Sequence, residues 1–323
     1  MKGLNNMDII LVDSVKGGCG KTSISLKSVA DRVSKGDKVC YIDLDLLGTS
    51  IEMFLNGGKF IREENNRDKF EKEIPIYFVV EKSARYYLND LFQGRNFDRK
   101  FISDISILNR ESAVTRGNFS LIACSPYQDD KERFKPSRQI NYGGQIDYDY
   151  FSAVIEKILK QLYVDKYKCV VIDMPPNSDA YTDSLFNILL SKADSLNAEE
   201  AKPLYNVEIY VVNSFDIAHF KANCEWLKMI IEEHDMKWVV NVPELFKIVF
   251  NDIIDYNELM EPALGTSNKH TEKYIQERLN DFRDERINIK EAYLFSYDKR
   301  LIMGATQNRG ICFDSIKRIS VKG

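Results

Sequence analysis

Short apolar runs alternate with segments of helical spacing along most of the chain. The apolar runs are flanked by polar and turn-forming residues, which predicts buried strands. Segments with an apolar residue at every third or fourth position predict amphipathic helices. The predicted strands are residues 9–13, 38–45, 74–80, 119–124, 167–173, 207–213, 246–252 and 292–295. The predicted helices are residues 21–34, 86–94, 97–108, 151–163, 182–190, 217–233 and most of 258–286.

This alternation predicts an α/β fold: one doubly wound, mainly parallel sheet with helices on both faces. The chain has no internal repeat, low-complexity tract or Pro/Gly/Ser-rich linker, so residues 1–323 are predicted to form a single domain. Three charged segments, near residues 57–73, 129–144 and 191–204, are predicted to be surface insertions.

A glycine-rich loop joins the first predicted strand to the first predicted helix. It reads KGGCGKT over residues 16–22. Its glycines allow successive backbone N–H groups to face an anion, and the helix that follows adds the positive end of its dipole. Lys21 is placed to reach terminal phosphates, and the Thr22 hydroxyl to bind Mg²⁺. An ordinary phosphate loop has glycine at the position of Val15, and here Lys16 stands beside it.

Aspartates follow two of the predicted strands. Asp43 and Asp45 end the strand of residues 38–45, and Asp173 ends the strongly apolar strand of residues 167–173, before Met174 and two prolines. Since ligands of such sheets lie at the carboxyl ends of the strands, these carboxylates are expected near the same phosphates. Oxygen ligands suit Mg²⁺, so Asp43 and Asp173 are predicted to hold it, Asp173 through water.

Together these motifs resemble the ParA/MinD family of deviant-Walker P-loop ATPases. The resemblance rests on the extra Lys16, the Asp43 and Asp45 pair, and the sequence DMPP at 173–176, all in family order. It implies Mg-ATP as ligand and a homodimer formed on ATP binding. In such a dimer Lys16 reaches the partner's nucleotide, Lys21 binds phosphate in its own site, and Asp45 positions the attacking water. A solvated Lys16 without this role is the alternative.

The resemblance also implies the remaining ligand contacts. The residues expected to bind the nucleotide in the loop are Gly17, Gly18, Cys19, Gly20, Lys21, Thr22 and Ser23, and those expected at the metal are Thr22, Asp43 and Asp173. In the family an asparagine at a strand end reads the adenine edge. Asn251 matches that place best, Asn241 is the alternative, and an ordinary strand-end turn also explains Asn251. Tyr297 and Asp298 match a loop that closes over the base.

Composition and the apolar pattern indicate which partners and which compartment to expect. Net charge is −4 and the sequence pI is about 5.6, so DNA binding would need a local basic patch, for example Lys299, Arg300, Lys317 and Arg318. The six cysteines show no Cys-x-x-Cys spacing, which favours buried thiols in a reducing compartment. The absence of a signal-peptide pattern and of a membrane-length apolar run predicts a cytoplasmic protein.

The function that this resemblance implies is an ATP-driven positioning or partitioning switch for DNA or a protein machine. A protein activator and non-specific DNA are the expected partners, and a membrane is the less favoured surface. Three alternatives stay open: a cargo- or metal-handling ATPase of the same class, a P-loop tyrosine kinase, and a small-molecule ligase.

Overall fold

The computed structural model describes residues 6–45, 51, 76–92, 94–109, 115–124, 148–175, 179–190, 205–214, 217–233, 245–253, 291–296 and 320–322. Its strands are β1 (Met7–Asp13), β2 (Val39–Asp43), β3 (Ile76–Lys82), β4 (Ser103–Asn109), β5 (Thr115–Ile122), β6 (Cys169–Asp173), β7 (Tyr205–Asn213), β8 (Phe246–Ile253), β9 (Glu291–Ser296) and β10 (Ser320–Lys322). Its helices are α1 (Lys21–Ser34), α2 (Leu88–Phe92), α3 (Tyr148–Val164), α4 (Asp179–Leu190) and α5 (Ile217–Glu233).

All ten of these strands form one sheet, in the order β10-β9-β8-β7-β1-β6-β2-β5-β4-β3. The strands from β9 to β5 in this order pair in parallel. The β9–β10, β4–β5 and β3–β4 pairs are antiparallel. The predicted fold class, a single mainly parallel sheet, is confirmed, with antiparallel pairs at both edges.

Both faces of the sheet are buried, as a doubly wound fold requires. Successive side chains of a strand point to opposite faces, and in β1 Ile9 and Leu11 join one apolar cluster while Ile10 and Val12 join the other. The first cluster contains side chains of α2, α3, α4 and α5, and the second contains those of α1. The carboxyl end of β1, where the glycine-rich loop begins, therefore lies near the middle of the sheet and between two helical layers.

One predicted helix is wrong. The second half of residues 97–108 lies in strand β4, preceded by a short 3₁₀ turn at Arg99–Phe101. The sequence alternates polar and apolar residues from Asp104 to Ile107, and Ile105 and Ile107 are both buried. That period of two is the strand period, and the buried Ser106 hydroxyl donates to the side chain of Asn118 on β5. The strand β10 was not predicted either.

The other elements lie close to their predicted positions. Within the described ranges, no helix is both long and apolar enough to cross a membrane. Five cysteines are free and buried, as expected: Cys19, Cys40, Cys124, Cys169 and Cys224. The three charged segments near 57–73, 129–144 and 191–204 lie outside the described residues, as do residues 258–286. The single-domain organisation stays a prediction.

Candidate functional site

The glycine-rich loop follows β1 and leads directly into α1. Gly20 is the N-cap of α1 with φ 90°, and its carbonyl accepts the first helical hydrogen bond from the Ile24 N–H at 3.0 Å. Gly18 also has a positive φ, 76°. These left-handed conformations cost little free energy for glycine and more for residues that have a Cβ atom. The glycines therefore allow a loop whose backbone amides face one side.

The two lysines of the loop differ in their surroundings. The Lys21 side chain is 7% exposed, and its Nζ donates to the backbone carbonyl of Lys16 at 3.4 Å. The Lys16 side chain is exposed. Lys21 thus lies within its own loop, whereas the charge of Lys16 is exposed to solvent.

Asp173 lies at the end of β6, beside the loop, and accepts three hydroxyl hydrogen bonds. Thr22 Oγ1 and the Tyr41 hydroxyl each donate to Oδ2 at 2.7 Å, and Ser25 Oγ donates to Oδ1 at 3.1 Å. Burial raises the pKa of Asp173 to about 6, although these hydroxyls and Lys21 oppose the shift. The Thr22 proton points to Asp173, which leaves the lone pairs of Thr22 Oγ1 for a cation.

Asp43 is the partner of Asp173 in the pairing of β2 with β6. Its Oδ1 accepts the Asp45 N–H at 3.0 Å, and its Oδ2 accepts the Cys124 thiol at 3.7 Å. Burial and the neighbouring charge of Asp173 both raise the pKa of Asp43 well above its usual range. The structure therefore brings Thr22, Asp43 and Asp173 together, as predicted from the two strand ends.

These residues fit a magnesium ion. A hydroxyl and two carboxylates are hard oxygen ligands, and two buried carboxylates side by side are stabilised by a divalent cation. Thr22 would ligate the ion, and Asp43 and Asp173 would hold its water ligands. When bound, Mg²⁺ neutralises charge on the terminal phosphates of a nucleotide.

Replacing Asp173 with asparagine is expected to change how stability depends on pH. Between pH 3.8 and about 6 the unfolded chain is ionised at Asp173 while the folded protein keeps its proton, so wild-type stability falls as pH rises through this window. The amide that replaces the carboxyl group has no such transition. In EDTA, the difference in thermal midpoint between Asp173→Asn and wild type should grow in favour of the variant up to about pH 6 and then level off. The corresponding difference in free energy of unfolding is about 3 kcal/mol at most.

The control for this measurement is Asp165→Asn, at an exposed position after α3. Its thermal midpoint relative to wild type should stay nearly constant over the same pH range. A constant difference for Asp173→Asn as well would mean that the folded protein holds Asp173 ionised throughout.

Asn251 lies on β8 and contacts the loop. Its side chain is 6% exposed, and its Nδ2 donates to the Cys19 carbonyl at 2.9 Å. The same Nδ2 would lie 2.0 Å from a Cβ atom added at Gly20. In this structure the amide thus supports the phosphate loop, and its predicted contact with adenine stays a prediction.

The other predicted site residues that the structure describes lie in the loop, in α1 and after β2. Cys19 is buried within the loop, and burial raises the pKa of its thiol. Gly17 is exposed, Ser23 lies half-buried in the first turn of α1, and Asp45 lies half-buried after β2. Outside the described residues lie Asn241, Tyr297, Asp298 and the candidate basic patch Lys299, Arg300, Lys317 and Arg318.

A buried polar cluster behind the loop was not predicted. His219 and Asn223 of α5 hydrogen-bond to Ser14 and Val15, where the loop begins. The sequence holds a signal for it, because these two polar residues are spaced i, i+4 on the face of α5 that also carries Phe220 and Leu227.

Comparison with known proteins finds matches of sequence and of fold. Residues 5–82 match the model of a family described as ParA, NUBPL iron-transfer P-loop NTPase. The resemblance to the ParA/MinD class of P-loop ATPases is confirmed. A curated relative, a cytosolic Fe–S cluster assembly factor NUBP2 homolog from Monosiga brevicollis, is 22% identical over 187 residues, which make up 58% of this chain and 49% of that protein. The chain thus spans about half the length of this curated relative.

Two solved structures share the fold. A plasmid partition protein from Borrelia burgdorferi B31 bound to AMPPNP superposes with a TM-score of 0.53 at 16% identity, over 95% of this chain and 92% of that chain. Apo McdA from Cyanothece superposes with a TM-score of 0.50 at 13% identity, over 95% of this chain and 91% of that chain. At these identities the likeness shows the fold alone.

Proposed function

We propose that this ParA-type chain binds Mg-ATP, pairs with a second copy of itself and hydrolyses ATP. ATP binding would assemble a surface from the two copies, and hydrolysis would separate them again. The pair would therefore act as a positioning or partitioning switch. The single observation that carries the proposal is the contrast between Lys21, buried within its own loop, and Lys16, exposed beside the same phosphate site. An outward cation at that place can reach the nucleotide of a facing copy.

In the proposed reaction a water attacks the γ-phosphorus of ATP, and the bond to the ADP oxygen breaks. The loop amides and Lys21 would bind the β- and γ-phosphates, which is where charge develops. Asp45 would orient the water, and Lys16 of a facing copy would stabilise the charge on the transferred group. Supporting this arrangement, the Asp45 backbone is tied to Asp43 by a 3.0 Å hydrogen bond at the same end of the sheet.

The surface that responds to ATP is proposed to be DNA or a protein machine, with hydrolysis stimulated by a protein partner. The Borrelia structure is of a plasmid partition protein, which is the support for DNA. A membrane is the less favoured surface.

An Asp45→Ala variant provides the test. Without Asp45 the bound ATP should persist, so size-exclusion chromatography in Mg-ATP should show a dimer, and the same variant in Mg-ADP a monomer. Repeating the run with DNA fragments and with anionic liposomes would identify the surface that the dimer binds. A monomer in Mg-ATP, with ATP shown to be bound, would contradict the proposed pairing.

A second candidate function comes from the names of the matched proteins. The family model is described as iron-transfer, and the curated relative is an Fe–S cluster assembly factor. The corresponding proposal is a cargo ATPase that carries iron or a cluster. Anaerobic reconstitution with iron and sulfide, followed by an absorption spectrum of the repurified dimer, distinguishes it, since a positioning switch would retain no cluster.

A further inference from the structure

Behind the phosphate loop lies a buried polar cluster that the proposed reaction does not use. We call it the loop-anchor network, and its five side chains belong to the loop, to the end of β7 and to α5: Ser14, Asn213, Ser214, His219 and Asn223. Ser14, Asn213 and Asn223 are fully buried, and His219 is 3% exposed. Polar groups buried to this degree are kept only where they are hydrogen-bonded.

The hydrogen bonds of His219 fix its tautomer. The Ser214 backbone N–H can only donate, and it points to His219 Nδ1 at 3.2 Å, while Ser214 Oγ lies 2.7 Å from the same nitrogen. Nδ1 is therefore the acceptor of a neutral ring, and Nε2 carries the proton. Nε2–H then donates to Ser14 Oγ at 2.8 Å. The ring thus bridges the end of β7 and the first residue after β1.

Asn223 lies one helical turn after His219 and holds the next residue of the loop. Its Oδ1 accepts the Val15 N–H at 2.9 Å. Its Nδ2 donates to the Asn213 side chain at 2.8 Å and to the Val212 carbonyl at 3.0 Å. All of these partners belong to the loop or to β7, so α5 joins the loop to the neighbouring strand.

Two backbone amides at the start of the loop are not available to bind phosphate. The Ser14 N–H donates to the carboxylate of Asp13 at 2.6 Å, and the Val15 N–H donates to Asn223. Both amides are used within the protein, so phosphate recognition falls to the amides of residues 16–22. At the far end of the loop Asn251 holds the Cys19 carbonyl. The loop is therefore fixed at both ends by buried asparagines.

We propose that His219 and Asn223 are positioning residues, through which α5 holds the phosphate loop in its nucleotide-binding shape. This inference rests on the proposed nucleotide binding and adds to it the element that sets the affinity. Ser14 and His219 are not a nucleophile and its base, because Ser14 Oγ lies in a fully buried residue that no substrate can reach.

Nucleotide affinity of point variants tests the proposal. In Ser14→Ala and His219→Leu the dissociation constant for a fluorescent ATP analogue is expected to rise about tenfold, because a buried group of the network loses its partner. His219→Gln should restore most of the affinity, since its amide can donate to Ser14 and accept from Ser214. The matched control is Ser28→Ala, a buried serine of α1 whose hydroxyl donates within its own helix, to the Ile24 carbonyl. It should leave the nucleotide affinity unchanged.

A spectroscopic signature separates positioning from mere stability. The chain has three histidines, His219, His234 and His270, so ¹⁵N-histidine spectra are simple and His219→Gln assigns the signal. The His219 signals are expected to be those of the neutral Nε2–H tautomer and to shift when nucleotide binds. Ser14→Ala should move the same signals before any nucleotide is added.

The outcomes distinguish this proposal from the one on which it rests. If wild-type protein fails to bind Mg-ATP, the proposed function fails, whatever the histidine spectra show. If wild-type protein binds Mg-ATP and Ser14→Ala and His219→Leu bind it equally well while folded, only the positioning role is overturned. An Nδ1–H tautomer for His219, or failure of His219→Gln to restore affinity lost in His219→Leu, would also overturn it.

Discussion

Replacing Lys16 with alanine is expected to slow ATP hydrolysis by about 10³-fold, the size of effect that a cation supplied across an interface has in other phosphoryl transfers. Affinity for Mg-ATP should stay close to that of wild type, because the exposed Lys16 side chain is not part of the fixed loop geometry. Single-turnover hydrolysis and equilibrium binding of a fluorescent analogue measure the two quantities separately. Lys35→Ala, another exposed lysine just after α1, is the matched control and should hydrolyse ATP normally.

Mixing two inactive variants shows whether Lys16 acts on the partner's site. In a pair of one Lys16→Ala and one Asp45→Ala chain, one site holds an intact Asp45 together with the other copy's Lys16. An equal mixture should therefore recover about a quarter of wild-type activity, since half of the pairs are mixed and each has one complete site of two. Lack of recovery in a mixture that forms dimers would mean that Lys16 acts within its own chain. Normal turnover of Lys16→Ala alone would remove it from the mechanism.

The parts of the site that follow each other along the chain could be predicted. The apolar run of β1, the three glycines and the helical spacing of α1 lie within thirty-four residues, so local pattern alone gives strand, phosphate loop and helix. Asp43 and Asp173 could also be predicted to meet. Each ends a buried strand, and strand ends of a parallel sheet share one edge.

The parts that depend on contacts between distant elements could not be predicted in the same way. Tyr41 looks like an ordinary apolar position of β2, yet its hydroxyl reaches Asp173 on the neighbouring strand. His219 bonds Ser14 across 205 positions of sequence, and Asn251 bonds Cys19 across 232. Such contacts follow from which strands lie side by side, and the periodicity of a single element does not contain that order.

The Asn251 contact leads to the second large effect, at Gly20. Replacing Gly20 with alanine is expected to weaken nucleotide binding by about 100-fold, from two costs that add. The left-handed φ of 90° strains any residue with a Cβ by about 1–2 kcal/mol. The new Cβ would also lie 2.0 Å from Asn251 Nδ2. Asn251 is buried, so it can move only by giving up its bond to the Cys19 carbonyl, at a further cost of about 1–3 kcal/mol.

Gly36→Ala separates the two costs. Gly36 follows α1 with a φ of 81°, and a Cβ there would meet no atom within 4 Å, so this variant carries similar strain without the clash. It should lose stability while binding nucleotide normally. In the double variant Gly20→Ala with Asn251→Ala the clash is gone. Its affinity for nucleotide should be no lower than that of whichever single variant, Gly20→Ala or Asn251→Ala, binds nucleotide more weakly. Normal nucleotide affinity in Gly20→Ala would mean that the loop holds phosphate without the Asn251 contact.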